Sequence, residues 1–170
     1  PVIPFENIDK IFPPKDFSLF IAMGHTNMNK NRAKIFNECK KLGYELLSYV
    51  HPTSTIGEDV KMGENCLILE NNVIQPFVTI GDDVIIWSNN VISHDVVIKD
   101  HCFIIHQVVI SGYVTIESYC IIAANSTINN RVIIAKECII GMGTLIMKNT
   151  IEKGVYAVDS SQRLPITSDR

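Results

Sequence analysis

From His51 to Ile146 the chain divides without a gap into sixteen blocks of six residues: HPTSTI GEDVKM GENCLI LENNVI QPFVTI GDDVII WSNNVI SHDVVI KDHCFI IHQVVI SGYVTI ESYCII AANSTI NNRVII AKECII GMGTLI. Every block ends in Ile except the second, which ends in Met62. A period of six matches neither the 3.6 of a helix nor the alternation of a simple strand. The position two before each Ile is restricted as well, holding only Ser, Val, Cys, Asn or Thr. One bulky and one small inward side chain per block describe a strand that turns a corner and repeats.

The composition agrees. The 170 residues include 27 Ile against 8 Leu, an inversion of ordinary usage. Ile is stiff at χ1 and suits a pleated surface, so strands should dominate. A hydrophobic content of 46% excludes a disordered chain, and the length suits one domain with a small appendage. The net charge of −3 and the absence of a basic run leave no electrostatic footprint for nucleic acid. No apolar stretch reaches the roughly 18 residues of a membrane span, and no signal-peptide pattern opens the chain, so a cytoplasmic protein is expected. Five Cys without a CxxC pair indicate neither a disulfide framework nor a zinc knuckle.

The repeat resembles the hexapeptide repeat of left-handed parallel β-helices, in which three blocks close one triangular coil. The resemblance implies a mainly β fold, a left-handed parallel β-helix over residues 51–151. Residues 18 apart should then stack on adjacent coils about 4.8 Å apart. One interior column reads Cys66, Val84, Cys102, Cys120, Cys138, which makes those cysteines small core residues without a catalytic role. Another sets Asn72 beneath Asn90, an amide ladder that satisfies buried polar groups. Just outside the cysteine column lie Leu67, Ile85, Phe103, Ile121 and Ile139. Five stacked apolar residues on a surface mark an interface. The expected partner is another copy of the chain, in the three-fold assembly that the resemblance implies; a covering helix from the N-terminal segment is the alternative.

Residues 1–50 leave this register. DFSLFIAMGHT reads as a short strand ending at Gly24, NKNRAKIFNECKKLGY as a helix of about 14 residues stopped by Gly43, and ELLSYV as another strand. Together they look like the second half of a small βαβ-type unit, its start either removed or dispensed with, and no GxGxxG loop is present. The tail, residues 152–170, ends in polar residues expected to be mobile.

Function on such a rod has to be argued from its sites. His94 falls at a corner, two residues after Ile92, and is followed by Asp95. An imidazole titrates near neutrality, and a carboxylate beside it can orient it as a general base. Above His94 at intervals of 18 stand Gly112, Asn130 and Lys148. A glycine there admits close approach and frees an N–H for an oxyanion, and the column suits a long thin ligand such as coenzyme A. Lys136, Lys148, Lys153 and Arg163 are candidates to meet its phosphates. His25, on the loop after Gly24, is placed to touch a ligand.

The stretch WSNNVISHDVVIKDHCFIIHQVVISG, preceded by ENNVIQPFVTIG, is similar to the bacterial sugar acetyltransferases that modify nucleotide-linked amino sugars or sialic acids. Their pattern falls on Asn90, Ser93, His94, Ser111 and Gly112. The resemblance implies that His94 is the general base and Asp95 its partner. It also implies acetyl-CoA lying between subunits of a trimer, and a nucleotide-sugar-binding segment in residues 1–50. Gly24, His25 and Asn90 are then candidates for the sugar, and Gly112, Asn130, Lys148 and Arg163 for the coenzyme. The chain departs from the pattern at Ile105, His106 and Gln107 and again between Ala157 and Arg163.

The leading expectation is therefore N-acetylation of an amino group on a nucleotide-linked sugar, with acetyl-CoA as co-substrate and no metal. O-acetylation of a sugar or sialic acid is the nearest alternative. A zinc hydratase on the same kind of β-helix would use His101 and His106, but the position for its third ligand holds Asn65, and catalytic zinc wants three protein ligands. A non-catalytic β-helical subunit is the remaining class.

Overall fold

The computed structural model describes residues 2–160 and shows a parallel β-solenoid of two-residue strands, a left-handed β-helix, with a small N-terminal unit packed on one side. Three sheets form the faces of the prism. We name them by their inward columns. The cysteine face has seven strands, the asparagine face (Ser54, Asn72, Asn90, Val108, Ser126, Thr144) six, and the valine face (Val60, Val78, Val96, Val114, Val132) five. Partners are 18 residues apart, as in Leu67↔Ile85 and Val73↔Val91, except in the last pair, Ile139↔Val155, which are 16 apart. The ladder starts at Tyr49–Val50 and ends at Val155–Tyr156, so it extends beyond the expected 51–151. The segment ELLSYV serves both parts: Leu46 bridges Leu19 of the N-terminal unit, and Tyr49–Val50 supply the first of these strands.

Each coil closes because the backbone turns at the third position of every block. From Asp59 to Glu137 all of these residues have φ between 52° and 65°, the left-handed region that Asn and Asp enter most easily. Phe77, His101, Tyr113, Tyr119 and Arg131 adopt it too, held by ladder bonds such as Tyr113 N–H to His94 O at 3.2 Å. Inside, the block-ending isoleucines from Ile68 to Ile140 are at most 2% exposed. Each such burial contributes about 1.5–3 kcal/mol. The amide ladder is present: Asn90 Nδ2 donates to Asn72 Oδ1 at 2.9 Å and to Trp87 O at 2.6 Å, and Asn90 Oδ1 accepts from Val108 N–H at 2.8 Å. The cysteines lie inside, and thiols such as Cys120 donate to a carbonyl one coil on, Ala135 O at 3.1 Å. Burial pushes the Cys66 thiol up to about 11 and Cys102 well above its ordinary value, which removes their nucleophilic character.

The N-terminal unit has a single turn of helix, α1 (Ile8–Ile11), and one longer helix, α2 (Lys30–Lys41). α2 is two residues shorter than expected and ends before Gly43, whose φ is +90°. The DFSLFIAMGHT segment makes one parallel bridge, Leu19↔Leu46, and no ladder. α2 lies along the cysteine face. Lys40 pairs with Glu64 at one end and Lys30 with Glu137 at the other.

This placement corrects the expectation that Leu67, Ile85, Phe103, Ile121 and Ile139 meet another copy of the chain. Ile85, Phe103 and Ile121 are already buried, with Leu67, Ile139 and Met28 packed against them. The chain's own N-terminal unit, and not a neighbour, removes that column from water. The asparagine face instead carries exposed apolar residues, Val73, Val91, Val109 and Leu145, between 38% and 60% exposed and interrupted only by Thr127 between the last two.

Candidate active site

His94 and Asp95 stand at the corner between the asparagine and valine faces. The His94 main-chain N–H donates to Gln75 Oε1 at 3.0 Å, and its Nδ1 lies 2.8 Å from Asp95 Oδ2. With Nδ1–H held by the carboxylate, Nε2 is the free nitrogen. Half of the His94 side chain is exposed. Gly112 sits directly above: a Cβ there would lie 2.9 Å from Cε1 and 3.0 Å from Nε2 of His94. Glycine is thus the residue that lets the imidazole occupy this place. The Gly112 N–H has no intramolecular acceptor among the described residues, so it is available to an oxyanion. The Tyr113 ring meets the imidazole edge-to-face at 5.2 Å, and Arg131 lies over Tyr113 at 4.6 Å. Neither Tyr113 nor Arg131 stood out in the sequence, because third-position residues look like ordinary turn residues.

Asn130 and Lys148 are exposed and continue this corner upward. Arg163 lies outside the described residues. Asn90 does not belong to the site: it is fully buried, and the ladder occupies its amide. The proposed substrate contact at Asn90 is therefore corrected, because the side chain points into the coil where no ligand reaches.

Gly24 and His25 lie elsewhere, beside the cysteine face. There a groove of about 270 Å³ opens between residues 20–24 and the coils, lined by Phe20, Met23, Gly24, Leu67, Trp87 and Phe103 among others. The rings form a continuous run. His25 meets Phe103 at 4.9 Å, Phe103 meets Trp87 at 5.7 Å, and Trp87 stacks on His106 at 5.7 Å with 20° between planes. Trp87 is the only Trp of the chain, in a block position otherwise filled mostly by small or polar residues, and that contrast is the signal by which the groove could have been found. His101 does not share a site with His106. Its Nδ1 contacts Asp83 Oδ2 at 2.8 Å on another corner, and no group of three His, Cys, Asp or Glu side chains converges among the described residues.

Comparison with known proteins agrees with the repeat. The bacterial transferase hexapeptide (six repeats) family profile matches residues 59–94 and 95–130. These 72 residues carry the bacterial transferase hexapeptide repeat. Among solved structures the chain is similar to a point mutant of perosamine N-acetyltransferase from Caulobacter crescentus in complex with CoA and GDP-perosamine, at 21% identity and a TM-score of 0.84, covering 91% of this chain and 73% of that one. It is also similar to the acetyltransferase domain of PglB from Neisseria gonorrhoeae (20% identity, TM-score 0.83, 91% and 75% covered) and to WeeI from Acinetobacter baumannii (24%, 0.76, 93% and 73%). No curated protein sequence matches the chain.

Proposed function

We propose that this protein transfers an acetyl group from acetyl-CoA to an amino group of a nucleotide-linked sugar, with His94 as general base. The observation that carries the reading is the open His94–Asp95 pair beneath Gly112. As the acceptor nitrogen attacks the thioester carbonyl, Nε2 takes the proton the amine loses. The new C–N bond forms, the C–S bond breaks, and the same proton passes to the departing thiolate. Asp95 holds Nδ1–H and stabilises the imidazolium, while the Gly112 N–H faces the developing oxyanion. Asn130 and Lys148 extend the column along which the coenzyme lies, and Arg163 is a further candidate for its phosphates. Solved structures of similar fold hold CoA or acetyl-CoA, three of them with GDP-perosamine, which supports this choice of substrates.

The acceptor is assigned to the groove beside Gly24 and His25, where Trp87 and Phe103 offer ring faces to a sugar. Within one chain that groove and His94 flank opposite edges of the asparagine face. Three copies packed through their exposed Val73, Val91, Val109 and Leu145 columns would set His94 of one copy against the groove of the next. A homotrimer is therefore part of the proposal. Five free cysteines suit a reducing compartment, in keeping with a cytoplasmic enzyme, and no described helix is long and apolar enough to cross a membrane. The test is release of free thiol from acetyl-CoA in the presence of nucleotide-linked amino sugars, GDP-perosamine included, with mass spectrometry of the product. Thiol release coupled to an N-acetylated sugar supports the reading; acetylation only at hydroxyls, or none, refutes it.

A further inference from the structure

One wall of the groove is backbone that no sheet supports. Residues 20–24 form no strand, and Asn27, Met28 and Asn29, which join them to α2, all have φ between 52° and 61°. Two main-chain groups of this wall are nevertheless tied down. The Ile21 N–H donates to Asn65 Oδ1 at 2.8 Å, and the Gly24 carbonyl accepts from Arg32 Nη1 at 3.1 Å. Both bonds lead to one carboxylate. Asp83 Oδ1 accepts from Arg32 Nε at 2.9 Å and from Asn65 Nδ2 at 2.8 Å, while Oδ2 faces His101 Nδ1 at 2.8 Å. The remaining Arg32 bonds go to Asn29 Oδ1, Asp83 O and Cys102 O. Arg32 and Asp83 are wholly buried.

A buried ion pair is weak evidence for stability, since apolar residues of similar volume often serve as well. What the guanidinium adds is direction, because its planar fork fixes the angle between its acceptors. Here it relates the Asp83 corner of the coil to the Gly24 carbonyl of the wall. None of Arg32, Asn65, Asp83 or His101 lines the groove itself.

We propose that the Arg32–Asp83–His101 cluster, with Asn65, positions the 21–24 wall of the groove and thereby sets affinity for the acceptor without entering the chemical step. This rests on the groove being the acceptor's site. Arg32→Lys keeps the charge and loses the fork. The double variant Arg32→Met/Asp83→Asn removes both charges, keeps a side chain that tolerates the left-handed backbone at position 83, and is read if the single variant does not fold. Two measurements on the full chain decide the matter. Hydrogen–deuterium exchange of residues 21–25, together with acrylamide quenching of the sole Trp87, reports the wall without any acceptor. Exchange there should accelerate about tenfold or more with Trp87 more accessible, while the coil amides stay protected; unchanged exchange, or loosening of every coil alike, overturns the proposal. With GDP-perosamine as acceptor probe, KM for the sugar should rise about tenfold while kcat and KM for acetyl-CoA hold, the signature of lost uniform binding. A fall in kcat at unchanged KM overturns it. If the wild-type protein acetylates no sugar, the acyl-transfer reading fails, and titration of Trp87 fluorescence with the same probe replaces the KM comparison. An equal affinity in wild type and variant then overturns the positioning role.

Discussion

Two histidine–aspartate pairs in this molecule have the same contact and opposite surroundings. His94 Nδ1 meets Asp95 Oδ2 at 2.8 Å, and His101 Nδ1 meets Asp83 Oδ2 at 2.8 Å. The first pair is half exposed at a corner with no covering element. The second lies under α2, with the Asp83 side chain fully buried and Arg32 bonded to the same carboxylate. Phe36 and Tyr119 flank His101, while a glycine sits above His94. A short contact between imidazole and carboxylate therefore says little about role. Access for a reactant separates the two: the open pair can exchange a proton with a ligand, whereas the covered pair has its carboxylate committed to holding the N-terminal unit.

This contrast can be broken most severely at His94. General-base catalysis contributes about 10²- to 10⁴-fold, so His94→Ala should lower kcat by that order in the thiol-release assay while thermal unfolding is unchanged. The covered pair should behave in the opposite sense. Asp83→Ala strands the Arg32 charge and should cost about 3–5 kcal/mol in denaturant unfolding, an effect that Asp95→Ala, half exposed, should not show. Gly112→Ala sharpens the comparison from the side of sterics. Its Cβ must displace the imidazole, and a misplacement of this size reduces turnover by up to about 10²-fold with little change in the melting temperature.

The smallest effect is a matter of pH. Burial raises the Cys66 thiol from 9.0 to about 11 and also raises the Cys39 thiol and the Tyr44 phenol. The folded state favours their protonated forms, so this contribution is complete below pH 9 and is lost as pH rises toward 11. Unfolding followed by circular dichroism should show stability declining over that interval. A thiol reagent at pH 8 should label none of the five cysteines before the chain unfolds.

The coils were legible to the residue because a period of six leaves little freedom in register, and the cysteine and asparagine columns follow from it. The placement of the corner imidazole was legible for the same reason: spacing alone sets His94 beneath Gly112. Asn90 shows the limit of motif matching, since the position that fits a site pattern is also an interior position, and the interior claims it. The apolar outer column was identified as needing a cover, but spacing carries no information on whether the cover comes from the same chain. Arg32 could have answered that. It adjoins the buried stripe Ala33, Phe36 and Cys39 of α2, and a cation on such a face calls for a buried acid. Asp83 was concealed by its resemblance to the other turn residues Asp59 and Asp95.

The helix strapped along the cysteine face changes how the rod holds together. In a bare stack each coil touches only its neighbours, and the ends can melt one coil at a time. α2 reaches from Glu64 to Glu137, which are about four coils or 19 Å apart along the axis, close to the roughly 18 Å length of the 12-residue helix itself. Early and late coils are thereby joined through one rigid body. Loss of the strap's grip would turn a single sharp unfolding transition into progressive fraying, so the N-terminal unit makes the repeat cooperative as well as covered.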